Sequence, residues 1–88
     1  MNVDVTHHAV ERYIQHFDPD MTEDEIRTHI KRMFKRGSVV SQKELTEYRK
    51  KGRIHLVAAL HEDDNGRFNN RTILTVYKGS PKLRHEVS

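Results

Sequence analysis

His8 and Arg12 stand four residues apart near the start of the chain. On a helix that spacing puts both side chains on one face. An imidazole exchanges its proton near neutral pH, which suits general acid–base catalysis. A guanidinium forks onto two oxygens at once, which suits a phosphate. The pair has the parts for phosphoryl chemistry. The competing reading is a solvated helix face, with His8 in water and Arg12 paired to a carboxylate such as Glu11 for about 0–1 kcal/mol. A second group stands far along the chain: His55, Thr75 and Tyr77, with Arg53 near the first. These side chains can move or orient a proton. The plain alternative makes His55 a half-buried structural residue and Tyr77 part of a core or its rim.

The elements that must position these residues follow from spacing. Ala9, Val10, Tyr13, Ile14 and Phe17 make one apolar helical face. Thr6 is placed to cap it, and Pro19 ends it after Asp18. Thr22-Glu23-Asp24-Glu25 is a capping box for a second helix, whose apolar stripe is Ile26, Ile30, Met33 and Phe34. Acids at its start and Lys31, Arg32, Lys35 and Arg36 toward its end both suit the helix dipole. Gly37 is expected to stop it in a left-handed conformation.

Beyond Gly37 the period changes. Ser38–Ser41 is a short β-rich piece, Glu44–Tyr48 alternates weakly, and Arg49-Lys50-Lys51-Gly52 reads as a tight turn. Arg53–Leu60 is the clearest strand, with Ile54, Leu56, Ala58 and Leu60 on one face and His55 on the other. A polar loop with the turn pair Asn65-Gly66 leads to a strand over Arg71–Tyr77. Alternation there puts Leu74 and Val76 on one face and Ile73, Thr75 and Tyr77 on the other. The expected fold is α+β, with two N-terminal helices on one face of a three- to four-stranded antiparallel sheet. His55, Thr75 and Tyr77 would share the opposite, open face. A single bulge would exchange the faces of a strand. Residues 1–5 are expected as an extended lead-in, residues 5–79 as the ordered part of one domain, and residues 80–88 as a loose tail.

The chain has 88 residues, 34% of them apolar, so the core is small. It has no Cys, which removes disulfides and thiolate metal sites. No apolar run reaches membrane-spanning length, and the expected location is the cytoplasm. Net charge is +3 with His neutral, and the cations cluster at 31–36, at Lys43 to Arg53 and at Lys78 to Arg84. Such clusters fit a polyanion, with Arg49, Lys50, Lys51, Arg53 and Lys78 as candidate nucleic-acid contacts. They also fit simple solubility. The loop His61-Glu62-Asp63-Asp64 lacks calcium-loop spacing, and the His residues near the start point apart on a helix. No metal or other cofactor is expected.

The run His8-Ala9-Val10-Glu11-Arg12, the break after it, the Thr-Glu-Asp-Glu-Ile helix start, Gly37 and the closing Thr75-Val76-Tyr77 strand together resemble a group of small bacterial and phage domains. These open with a His-Ala-x-x-Arg helix and look like relatives of the RelE, colicin and barnase-like ribonuclease toxins, which work without a metal. The resemblance implies a helix pair on a four-stranded antiparallel sheet, with the site on the open face or at its edge beside the first helix. It implies catalytic roles for His8 and Arg12, and for Thr75 and Tyr77 in the last strand. Members often carry a further Arg where this chain has His16. The implied activity is RNA cleavage through the 2′-hydroxyl, so DNA would survive. In this reading His8 is the acid or base, Arg12 and Arg53 hold phosphate, and His55, Thr75 or Tyr77 is the second donor or an orienting group. RNA is the expected partner. An antitoxin, an immunity protein or a host protein is the other kind of partner. A domain that binds nucleic acid without cutting it, or one that binds and modulates a host protein, is the alternative function.

Overall fold

Asn2-Val3-Asp4-Val5 alternates apolar and polar residues, and it forms a strand, β1 (Asn2–Val5), that buries Val3 and Val5. The computed structural model describes residues 2–79. Helix α1 (His7–Phe17) and helix α2 (Glu23–Arg36) follow, then strands β2 (Ser38–Lys43), β3 (Thr46–Lys51), β4 (Ile54–His61) and β5 (Asn70–Lys78). The sheet order is β1-β5-β4-β3-β2. β1 runs parallel to β5, and the other neighbours are antiparallel. The class is therefore α+β, as expected, but the sheet has five strands and is mixed. The correction comes from the lead-in. Its two valines find a partner only at the far end of the chain, and no local turn announces that pairing. The tail expected over 80–88 lies outside the described residues. No helix among the described residues is long and apolar enough to cross a membrane.

Both helices begin on threonine caps. Thr6 Oγ1 accepts from the Ala9 N–H at 3.1 Å, and Thr22 and Glu25 form the reciprocal capping box. The Thr22 N–H donates to Glu25 at 2.8 Å, which holds the Glu25 carboxyl below its ordinary range. The helices bury Ala9, Val10, Tyr13, Ile26, Ile30, Met33 and Phe34 against Val3, Val5, Leu56, Ala58, Ile73 and Val76 of the sheet. Full burial of a side chain such as Phe34 contributes about 1.5–3 kcal/mol. Burial also pushes the Tyr13 phenol up. Asp18 ends α1 in the left-handed region (φ 43°), with its N–H on the Ile14 carbonyl at 2.8 Å.

Gly37 does not make the expected left-handed stop. It is extended, with φ −74° and ψ 160°. Its missing side chain is needed for another reason: a Cβ there would lie 3.0 Å from the Lys50 carbonyl oxygen and 3.1 Å from that of Met33. The end of α2 thus sits hard against β3. Both obstacles are backbone, so neither can rotate away. Gly37→Ala is expected to lower stability by about 1–3 kcal/mol. A urea midpoint that does not move would disprove the close approach.

Two further expectations are corrected. Arg49-Lys50-Lys51 is not a turn but the second half of β3, paired with Leu56, His55 and Ile54. The turn is only Gly52-Arg53, with Gly52 at φ +63°. A two-residue hairpin places its Gly in the left-handed region and lets the ladder run to the last cation. The face assignment in β5 also changes. Thr75 pairs with Val57 and Ile73 with Ala58, so Leu74 is an extra residue in a bulge. Ile73 therefore turns inward and is fully buried, while Leu74 is exposed. Thr75 and Tyr77 keep the open face. Thr6 fixes the bulge: its N–H donates to the Ile73 carbonyl at 3.1 Å, and its hydroxyl reaches the Ile73 and Leu74 carbonyls at 3.0 and 3.2 Å.

Candidate functional site on the open sheet face

With both helices on one side, the register decides what the other side carries. Ser38, Lys50, His55 and Tyr77 lie in one cross-strand row, and Ser41, Tyr48, Val57 and Thr75 lie in the next. His55 and Tyr77 face each other across the β4–β5 pair, and their rings stack at 5.0 Å with 10° between planes. His55 is only 9% exposed. A pocket of about 280 Å³ opens here, and its walls include Val40, Ser41, Tyr48, His55 and Tyr77. That space is at the small end of ligand pockets, and its aromatic walls suit a flat ring. Lys50 is exposed in the same row as the stack and brings positive charge beside it.

The structure thus brings His55 and Tyr77 together, with Thr75 one row away. His8 and Arg12 stand elsewhere, on α1. That helix packs chiefly on β5. It starts where Thr6 binds the Leu74 carbonyl, and near its end Lys78 Nζ lies 5.8 Å from the centre of the Phe17 ring. α1 therefore runs along β5. His8 is exposed, while His7 beside it pairs with Glu11 at 2.7 Å. Arg12 and His16 are half-buried, and Arg12 Nε and His16 Nε2 are shielded from solvent with no hydrogen-bond partner among the described residues.

The basic candidates divide in the same way. Lys51 and Lys78 flank Ile54 on the helix-side face, and Arg53 sits in the adjoining turn, where its carbonyl accepts from the Gly79 N–H at 3.1 Å. These cations gather at one end of the sheet. Arg49 is different. It lies on the helix side, its guanidinium 4.3 Å from the centre of the Phe34 ring. Its Nη1 donates to the Phe34 carbonyl at 2.9 Å and its Nε to Glu47 at 3.0 Å. Arg71 Nε meets the same carboxylate oxygen at 3.0 Å, and Gln42 donates to the other at 2.9 Å. Burial alone would raise the Glu47 carboxyl, but bonds and charge from Arg71 and Arg49 outweigh it and hold it below the ordinary carboxylate range.

Tyr48, Val40 and Ser41 are wall residues that spacing does not single out. Tyr48 falls in a weakly alternating stretch, and Val40 reaches the pocket beside a register shift between Val39 and Ser41 in the β2–β3 pair. Among the described residues, no group of three His, Asp or Glu side chains converges as a metal site. No known protein family matches the chain, and no curated protein or solved structure matches it either.

Proposed function

We propose that this protein is a small ribonuclease of the toxin-like kind, with its reacting centre in the pocket on the open sheet face. The observation that carries the reading is the His55–Tyr77 stack in the wall of an aromatic pocket, with Lys50 in the same row. One base of the RNA enters against Tyr48 and Tyr77. The His55 imidazole exchanges the proton, Tyr77 orients it, and Lys50 meets the phosphate. The 2′-hydroxyl loses its proton and attacks the adjacent phosphorus. The bond to the 5′ oxygen breaks, and that oxygen leaves with a proton. The products are a 2′,3′-cyclic phosphate and a 5′-hydroxyl. His8 and Arg12, on α1 beside β5, hold the strand as it passes, and Lys51, Arg53 and Lys78 add to the pull on its phosphates.

A labelled RNA oligonucleotide and its all-deoxy equivalent, incubated with the protein in EDTA, test this directly. RNA alone is cut, and the product ends in a cyclic phosphate, because only RNA carries the nucleophile. Cleavage of both substrates rules out the 2′-hydroxyl route. Binding that weakens steeply with salt, without cleavage, makes the domain a nucleic-acid-binding module instead.

A further inference from the structure

The two edges of the sheet are not alike. β1 is four residues long, and the carbonyl of its last residue, Val5, accepts from Arg27. β2 is six residues long, it forms the other edge, and every residue in it is exposed. Val39 and Val40 are 54% and 60% exposed, and Leu45 in the turn beyond is 54% exposed. Edge strands are commonly protected by proline, by charges, by a β-bulge or by a covering element, and of these β2 carries the bulge at Val40 in its pairing with β3. β2 has no proline, Lys43 is its only charge, and no described element lies outside it.

We propose that β2 is the seat of an extended, acidic segment of a partner protein, which adds as a sixth strand. Backbone hydrogen bonds would supply the attachment, and alternate side chains would supply the choice of partner. The charge around β2 selects the sign. Lys35 and Arg36 precede it, Lys50 and Lys51 lie beside its start, and Lys43 ends it. All are exposed, and none has an ion-pair partner among the described residues. Glu47 does not offset them, because Arg49 and Arg71 already hold it. Among the described residues, Glu44 is the one carboxylate next to β2 without an ion pair. A second copy of this chain fits less well. Antiparallel pairing of the whole strand with itself sets Val40 across from Ser41 and Val39 across from Gln42. It also brings Lys43 and Glu44, which cancel, against the cations at the start. A partner strand with β-branched residues opposite the valines and carboxylates toward the lysines satisfies both. Val40 also lines the pocket, so a strand seated here closes one side of it. The attachment itself does not depend on what the pocket does.

The test uses the full chain, labelled for NMR, and two capped ten-residue peptides. One alternates valine or threonine with glutamate, and the other carries lysine in place of glutamate. The acidic peptide is expected to shift the amides of residues 38–43 and to protect them from hydrogen exchange. The lysine peptide is expected to bind at least about tenfold more weakly, as is the acidic peptide to Arg36→Glu/Lys43→Glu. Both substituted residues are exposed, and circular dichroism checks that the fold is kept. Equal binding of the two peptides, shifts centred away from β2, or no binding at millimolar peptide overturns the proposal. So does a concentration-dependent dimer in sedimentation, which makes β2 a self-pairing edge. No RNA is present, so this result stands apart from the cleavage assay.

Discussion

Glu47→Ala is expected to cost about 3–5 kcal/mol of folding stability and to lower the thermal midpoint by at least about 12 °C. Glu47 is 2% exposed, and the Arg49 and Arg71 side chains are 12% and 13% exposed. Removing the carboxylate takes away the charge that the Arg49 and Arg71 guanidiniums share beside the core. Their bonds to the neutral Phe34 and Phe68 carbonyls do not replace it. An 88-residue domain holds roughly 4–13 kcal/mol in total, so the loss is a large share. The sign with pH follows from the lowered carboxyl. Its stabilisation is complete above the ordinary carboxylate range and is lost as pH falls through the folded value. Wild type and Glu47→Gln should therefore converge in stability in acid and separate toward neutral pH. Replacing all three charges by Met and Leu is expected to restore most of the loss, because an apolar set of similar volume carries no desolvation cost. If Glu47→Ala melts within about 3 °C of wild type, the cluster contributes only what an exposed pair does.

That cluster shows where the sequence stops being legible. Arg49 reads as one cation in a basic run, and Glu47 as one acid in a weak strand. Glu47 and Arg49 are two residues apart on one face of β3, but Arg71, 24 residues beyond Glu47, joins them only once β3, β4 and β5 lie side by side. The helices were legible for the opposite reason. Capping, apolar stripe and stop are local, and Thr6, Thr22 and Pro19 mark them within a few residues. β1 sits between the two cases: its alternation is visible, but its partner is at the other end of the chain. Gly37 does end α2, but not by the left-handed stop that its type suggests: it is extended, and what excludes a side chain there is a backbone carbonyl of β3, which the sequence does not contain.

The candidate site divides along the same line. Period two placed His55, Thr75 and Tyr77 on one face, and they share it because the bulge at Leu74 falls before Thr75 rather than after it. A bulge one pair further along would have put Leu74 on the open face in place of Thr75 and left Tyr77 opposite His55. Spacing also joined His8 to Arg12 correctly on one helix flank. What it does not contain is that the pocket on the open face is walled by strand residues alone and includes neither of the two.

That separation is the ground for the other large effect. His55→Gln is expected to lower kcat for RNA cleavage by about 10²–10⁴, the usual contribution of a positioned acid–base group. KM should change little, because the amide fills most of the same space beside Tyr77. The pH profile should lose the limb that the imidazole supplies. His8→Ala is expected to act on the other constant, raising KM by up to about tenfold, which is about 1.4 kcal/mol, with kcat kept. Its side chain is exposed on α1 and belongs to the strand's passage rather than to the reacting phosphate in this reading. Tyr77→Phe, which keeps the 5.0 Å ring stack and removes the hydroxyl, should fall between them. The comparison must use protein shown to be folded, since His55 is buried and His8 is not. If His8→Ala abolishes turnover while His55→Gln leaves it intact, the reacting phosphate lies over α1 and Arg12 becomes its ligand. The aromatic pocket would then hold the neighbouring base.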